Sequence, residues 1–368
     1  MNNEFQAPCM DNIYVEEDRF WFISTVFDAL LRIDKGSMTS DLLKILPIEN
    51  NKRVRLYSRC IKINNCVYCL PKYGEGILVY NLLEDKFKKI KFTSQNRFPG
   101  ILNWKLLNSS LCLVSYFLKQ LIFVNTKLNE VECYYQLNMG GKEILYSTFE
   151  HNYLYCLSND NEICEVNLAT EEQNTYKINI PNEKLNTIAY DGNLFWLTGL
   201  KSSIYVWNKI NNQIVIVNDF PQSYYKNYFT KKYMKIGFKS FFIDSIFLKN
   251  KVFLIPFWFN YILVNNVEKD EMNSIELGNN KSDIDINSKI CGCKLKKVYV
   301  KDYRYIGVFS YSENILYEID AVSLNVTRLE YKLSINHQLE IMQDYIEQGR
   351  VYYEKKNDLY GFLELLKR

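Results

Sequence analysis

Short apolar runs, each cut off by a few polar residues, follow one another along this chain in a rhythm suited to strands rather than helices. One phrase recurs seven times, an apolar run closing on Asn or Asp. It reads LLRID to Asp34, ILVYN to Asn81, LIFVN to Asn125, ICEVN to Asn167, IYVWN to Asn208, YILVN to Asn265 and LYEID to Asp320. Successive closing residues lie, by subtraction, 47, 44, 42, 41, 57 and 55 positions apart. A second apolar run precedes each closing residue by about a dozen positions: Phe20 to Ile23, Val67 to Leu70, Leu111 to Val114, Tyr153 to Leu157, Leu194 to Leu197, Val252 to Ile255 and Ile306 to Phe309. Before each of these stands a polar hairpin signal, such as NN at Asn64, NSS at Asn108, DGN at Asp191 and KNK at Lys249. Asx and Gly tolerate the left-handed backbone of a tight hairpin, so the runs on either side are antiparallel strands. A further β-rich stretch follows the closing residue, as in TYKINI from Thr175, IVIVNDF from Ile214 and VTRLEY from Val326. Each unit thus reads strand a, turn, strand b, loop, strand c, turn, strand d.

Four antiparallel strands over this period match one blade of a β-propeller; a leucine-rich repeat is shorter, and a helical solenoid lacks the alternation. The predicted fold is all-β, a seven-bladed β-propeller with four-stranded antiparallel blades over residues 1–335. A short C-terminal helical tail, 336–368, is expected to pack on it. One sheet buries little alone, whereas stacked blades cover both faces, which accounts for middle strands that are apolar almost continuously. The resemblance is to the β-propeller class as a whole, over residues 11–335. Kelch repeats would show paired glycines, and WD40 repeats a Trp-Asp dipeptide closing strand c; Trp207-Asn208 comes nearest to the latter. The pattern is similar to the divergent, Asn-closed propellers common in bacterial proteins, and that resemblance implies an interaction or ligand-binding platform.

Composition adds exclusions. Hydrophobic residues make up 48% and aromatics 15%, enough for a core that requires neither disulfides nor a metal. A net charge of +3, from 45 basic and 42 acidic residues, gives no electrostatic argument for nucleic acid, and none is expected as a partner. The amino terminus lacks the basic start and apolar core of a secretory signal, and no apolar run approaches the roughly 20 residues of a membrane helix. The expected location is cytoplasmic, with no membrane association.

Candidate chemistry is sparse. Cys69, Cys112, Cys156 and Cys164 fall in predicted strands and read as core thiols. Cys66-Val-Tyr-Cys69 has metal-ligand spacing, but on a strand its cysteines point to opposite faces; Cys291-Gly-Cys293, in a loop, lacks a second pair. The two histidines, His151 in an a–b hairpin and His337 opening the tail, have no nucleophile-elbow context nearby, and no Gly-rich phosphate loop is present. No cofactor or metal is expected. Carboxylate catalysis would draw on the acidic residues of the b–c loops, Asp28, Glu75, Asp160, Glu162 and Glu313, and a glycosidase-like enzyme would bring two of them within about 5 to 9.5 Å.

The same b–c loops carry Phe27, Tyr73, Tyr116, Phe117, Phe257, Trp258, Phe259 and Tyr311, with Lys201 beside them. Large apolar groups on loops are frequent binding anchors, although such rings also tuck between blades. The expected function is a non-enzymatic platform that holds a protein or peptide on this face. The alternatives are a carbohydrate-active or lyase-type enzyme using axial carboxylates, and a carbohydrate-binding module stacking sugars on Trp258. The longer spacings hold a lysine- and tyrosine-rich insertion, Pro221 to Lys239, read as an inter-blade loop, and a polar one from Leu277. The tail is expected to act as a structural lid, with ring closure independent of it.

Overall fold

The computed structural model describes residues 10–24, 28–47, 56–92, 98–200, 203–217, 242–257, 260–278, 295–311, 313 and 315–333. Blade 1 comprises β1 (Met10–Val15), β2 (Arg19–Ser24), β3 (Ala29–Asp34) and β4 (Thr39–Ile45). Blade 2 comprises β5 (Tyr57–Ile63), β6 (Cys66–Pro71), β7 (Gly76–Asn81) and β8 (Lys86–Lys91). Blade 3 follows with β9 (Ile101–Leu107), β10 (Ser110–Ser115), β11 (Gln120–Asn125) and β12 (Glu130–Gln136). Blade 4 has β13 (Ile144–Glu150), β14 (Tyr153–Ser158), β15 (Glu162–Asn167) and β16 (Gln173–Lys177). Blade 5 has β17 (Leu185–Tyr190), β18 (Phe195–Gly199), β19 (Ile204–Asn208) and β20 (Gln213–Val217). Blade 6 has β21 (Phe242–Leu248), β22 (Lys251–Pro256), β23 (Tyr261–Asn266) and β24 (Glu271–Glu276). Blade 7 has β25 (Leu295–Lys301), β26 (Tyr305–Ser310), β27 (Ile315–Asp320) and β28 (Val326–Leu329), and β29 (Lys332–Leu333) comes last.

Strand order within every sheet follows chain order. The protein is an all-β, seven-bladed propeller with four-stranded antiparallel blades, as the repeat predicts. The proposed helical tail, 336–368, lies outside the described residues. Among the described residues no helix is long and apolar enough to cross a membrane.

The recurring Asn or Asp has a definite task. Its side-chain oxygen accepts backbone N–H groups two and three residues on: Asn81 Oδ1 from Leu83 and Glu84, Asn125 Oδ1 from Lys127 and Leu128, Asn167 Oδ1 from Ala169 and Thr170. Asp320 does the same and is held down to about 2 by the Arg304 guanidinium. These are Asx turns closing the c–d hairpin. Four residues after each cap one residue adopts left-handed backbone: Met38, Asp85, Asn129, Glu171, Asn212, Asp270 and Leu324, with φ of 53° to 63°. In blade 6 the cap is Asn266, which accepts from Glu268 and Lys269, so the phrase closes one position beyond Asn265. Asn265 is itself buried. Asn125→Ala, which loses two cap bonds at 3.0 Å, is expected to destabilise by about 1 kcal/mol, read as a lowered thermal midpoint.

The chain divides into two compact units, one containing blades 1 and 2, the other blades 3 to 6 and the first two strands of blade 7. In the first unit, Trp21, Ile23 and Leu30 of blade 1 pack against Cys60, Val67, Cys69 and Leu78 of blade 2. In the second, Tyr155, Leu157 and Ile163 of blade 4 meet Leu185, Ile188, Phe195 and Trp207 of blade 5. The b strands lie between two covered faces, and β10, for example, is buried from Leu111 to Ser115. Within the first unit, β29 adds to the outer edge of blade 1 in parallel, Lys332 opposite Thr39 and Leu333 opposite Ser40. Blade 1 therefore carries a fifth strand that the repeat pattern does not announce.

Candidate functional site

Antiparallel order places the b–c loops and the connections between blades at one end of each sheet, and the a–b and c–d turns at the other. His151 sits in an a–b turn with φ of 47° and its ring exposed, so its place is set by backbone geometry. Cys69 is fully buried and Cys66 half-buried on β6, as alternation requires. Cys112, Cys156 and Cys164 are buried free thiols, and burial pushes Cys112 up to about 12, far from the thiolate range.

Of the aromatic b–c residues, the structure brings Tyr116 and Phe117 together, edge to face at 4.6 Å between centroids. Their loop is fixed by backbone bonds: Tyr116 N donates to Gly100 O at 2.9 Å and Lys119 N to Ser115 O at 3.0 Å. Gly100 holds φ of +54°, and a Cβ there would stand 2.5 Å from the Phe117 ring, so this ring lies directly over the glycine. Phe117 remains 39% exposed. Tyr116 instead packs against the core of blades 3 and 4. Tyr73 is half-buried in a loop where three successive N–H groups, from Lys72 to Gly74, converge on Leu56 O. Tyr311 is half-buried and meets Phe309 edge-on at 5.1 Å, and Phe257 is half-buried. Phe27, Lys201, Trp258, Phe259 and residues 221–239 lie outside the described residues.

The acidic residues of these loops have partners close by. Asp28 is buried and accepts Tyr57 N at 3.4 Å, Glu75 pairs with Lys89 at 3.0 Å, and Glu313 accepts Tyr317 OH at 2.5 Å. Asp160 and Glu162 do come together, but around the ammonium groups of Lys142 and Lys177, which neutralise them.

A second cluster escaped the sequence reading. The third residue of every a strand carries a polar group: Asn12, Arg59, Asn103, Tyr146, Thr187, Asp244 and Lys297. In the second unit the a strands of neighbouring blades touch, most extensively β17 with β13 and with β21, and three of these side chains converge. Tyr146 of blade 4 donates to the Asp244 carboxylate of blade 6, while Lys297 of blade 7 donates to the same oxygen at 2.6 Å. Lys297 lies over the Tyr146 ring at 5.9 Å. Burial, then the neighbouring Asp244 charge, pushes the Tyr146 hydroxyl well above its ordinary value. Burial opposes the charge on Lys297, yet Asp244 and Tyr146 overcome it and the net direction is up. The triad is a neutral Tyr-OH beside an ion pair, tying blade 4 to blades 6 and 7, neither of which follows it directly in the chain. Aligning the repeats on the cap residue exposes this polar column, 21 to 23 positions upstream by subtraction. Among the described residues no group of His, Cys, Asp and Glu has metal-ligating geometry.

No protein-family model and no curated protein matches the chain. Solved structures do. A catalytically inactive virginiamycin B lyase from Staphylococcus aureus with quinupristin matches with a TM-score of 0.55 and 10% identity, over 84% of this chain and 94% of that one. BamB from Moraxella catarrhalis matches with a TM-score of 0.51 and 9% identity over 82% of each chain. The computationally designed Ika8 protein gives 0.54 and 10%, over 88% and 87%. A lyase and a designed chain at the same level of likeness share the fold with this protein, and the likeness carries no function.

Proposed function

We propose that this propeller is a non-enzymatic platform that binds a protein or peptide on its b–c loop end. The observation that supports this reading is Phe117, an exposed ring lying over Gly100 on a loop whose backbone is held by its own hydrogen bonds. An aromatic presented on a pre-ordered backbone has less loop entropy to lose on binding, which favours it as an anchor. The loop carboxylates are matched by their own lysines, tyrosines and backbone N–H groups, which favours recognition over acid–base chemistry at this end.

The test is a peptide-display selection on the wild-type protein, followed by affinity measurements on Phe117→Ala. Loss of the ring is expected to weaken a selected peptide about tenfold or more, with an unchanged thermal midpoint, as for a central aromatic anchor. Equal affinity in the folded variant would defeat the reading.

A further inference from the structure

The outer strands of the blades differ in one respect. β4 carries Asp41 and Lys44 and is extended by β29; β8 carries four lysines, β12 and β24 two glutamates each, β16 Lys177 and β28 Arg328. β20, reading QIVIV, has no charge at all. Val215 is 62% and Ile216 52% exposed, and Ile210 in the turn before them is more exposed still. Consecutive strand residues point to opposite faces, so both faces of β20 are open, beside a row of backbone N–H and C=O groups. Among the described residues no strand pairs with its outer side.

Sheet edges are ordinarily blunted by charge, proline or a covering segment, and a bare β-branched edge is a pairing surface. We propose that β20 pairs with β20 of a second copy, antiparallel, about a two-fold axis through Val215. The strand suits its own image. Pairing on that axis sets Val215 opposite Val215 and Ile214 opposite Ile216, β-branched pairs that stabilise sheets, and Gln213 opposite Val217, with no like charges facing. A partner strand of different sequence would gain nothing from this symmetry. Blade 1 shows that an outer edge in this protein accepts a further strand. Five residues bury far less than the roughly 800 Å² per partner of a standard interface, so the dimer is weak and concentration-dependent.

Sedimentation velocity over a concentration series, on the full chain, tests this. The wild type is expected to move from 43.8 kDa towards twice that mass. Val215→Lys and Val215→Glu should each remain monomeric, because the axis brings like charges face to face, while an equimolar mixture of the two should associate again. Thr175→Lys on the outer strand of blade 4 should associate like the wild type, and circular dichroism reports whether each variant is folded. A wild type monomeric at every concentration, a folded Val215→Lys that dimerises, or a mixture that stays monomeric would each overturn the proposal.

Discussion

Replacing Asp244 by alanine is expected to cost about 3–5 kcal/mol of unfolding free energy, because it strands the Lys297 ammonium, only 24% exposed, without its carboxylate. The Tyr146 hydroxyl loses one of its two acceptors in the same step and keeps the Ser245 carbonyl at 2.9 Å. Asp244→Asn keeps the shape and an acceptor and should cost less. The double variant Asp244→Ala, Lys297→Met removes both charges, and urea unfolding should place it well short of the sum of the single effects. Alkaline pH probes the same triad. Tyr146 and Lys297 both hold their protons more tightly folded than unfolded, so their contribution is whole below the ordinary values of 10.0 and 10.5 and is lost as pH rises above them. Stability of Tyr146→Phe should therefore fall less steeply than that of the wild type above about pH 10.

Trp207→Ala should be comparably severe, about 3–5 kcal/mol, as for other buried aromatics truncated to alanine. Trp207 is 1% exposed and packs on Phe195 at 5.0 Å and Tyr176 at 5.6 Å, where blades 4 and 5 meet. Its indole N–H also donates to Asn212 Oδ1 at 2.9 Å, and Asn212 is the left-handed residue of that blade's c–d hairpin. The variant thus empties a core position and loosens a turn together. Trp207→Phe keeps most of the volume and should cost about 1 kcal/mol for the lost bond, a difference readable by urea denaturation followed by circular dichroism.

Trp207 and Asn208 also show what could be read from the chain. The cap demands Asn or Asp at one position in every blade, so the repeat, the strand order and the hairpins were legible. The slip at Asn265 arises because Asn266 has the same chemistry, and only the bonds to Glu268 and Lys269 distinguish them. The polar column holding Tyr146, Asp244 and Lys297 mixes amide, hydroxyl, acid and base, so no residue type recurs to mark it. The partners of Asp160 and Glu162 lie on a preceding loop and an outer strand, which spacing alone does not bring together. β29 is two residues long and has no periodicity to detect.

That short strand bears on synthesis. Each blade is one contiguous stretch of chain, so a nascent polypeptide can complete blade after blade as it leaves the ribosome, with short loops to close and fast local pairing. The contact of β29 with β4 joins residues 293 positions apart by subtraction. Blade 1 must therefore wait, its outer edge open, until Lys332 and Leu333 have emerged, and the latch on Thr39 and Ser40 forms after the blades between them.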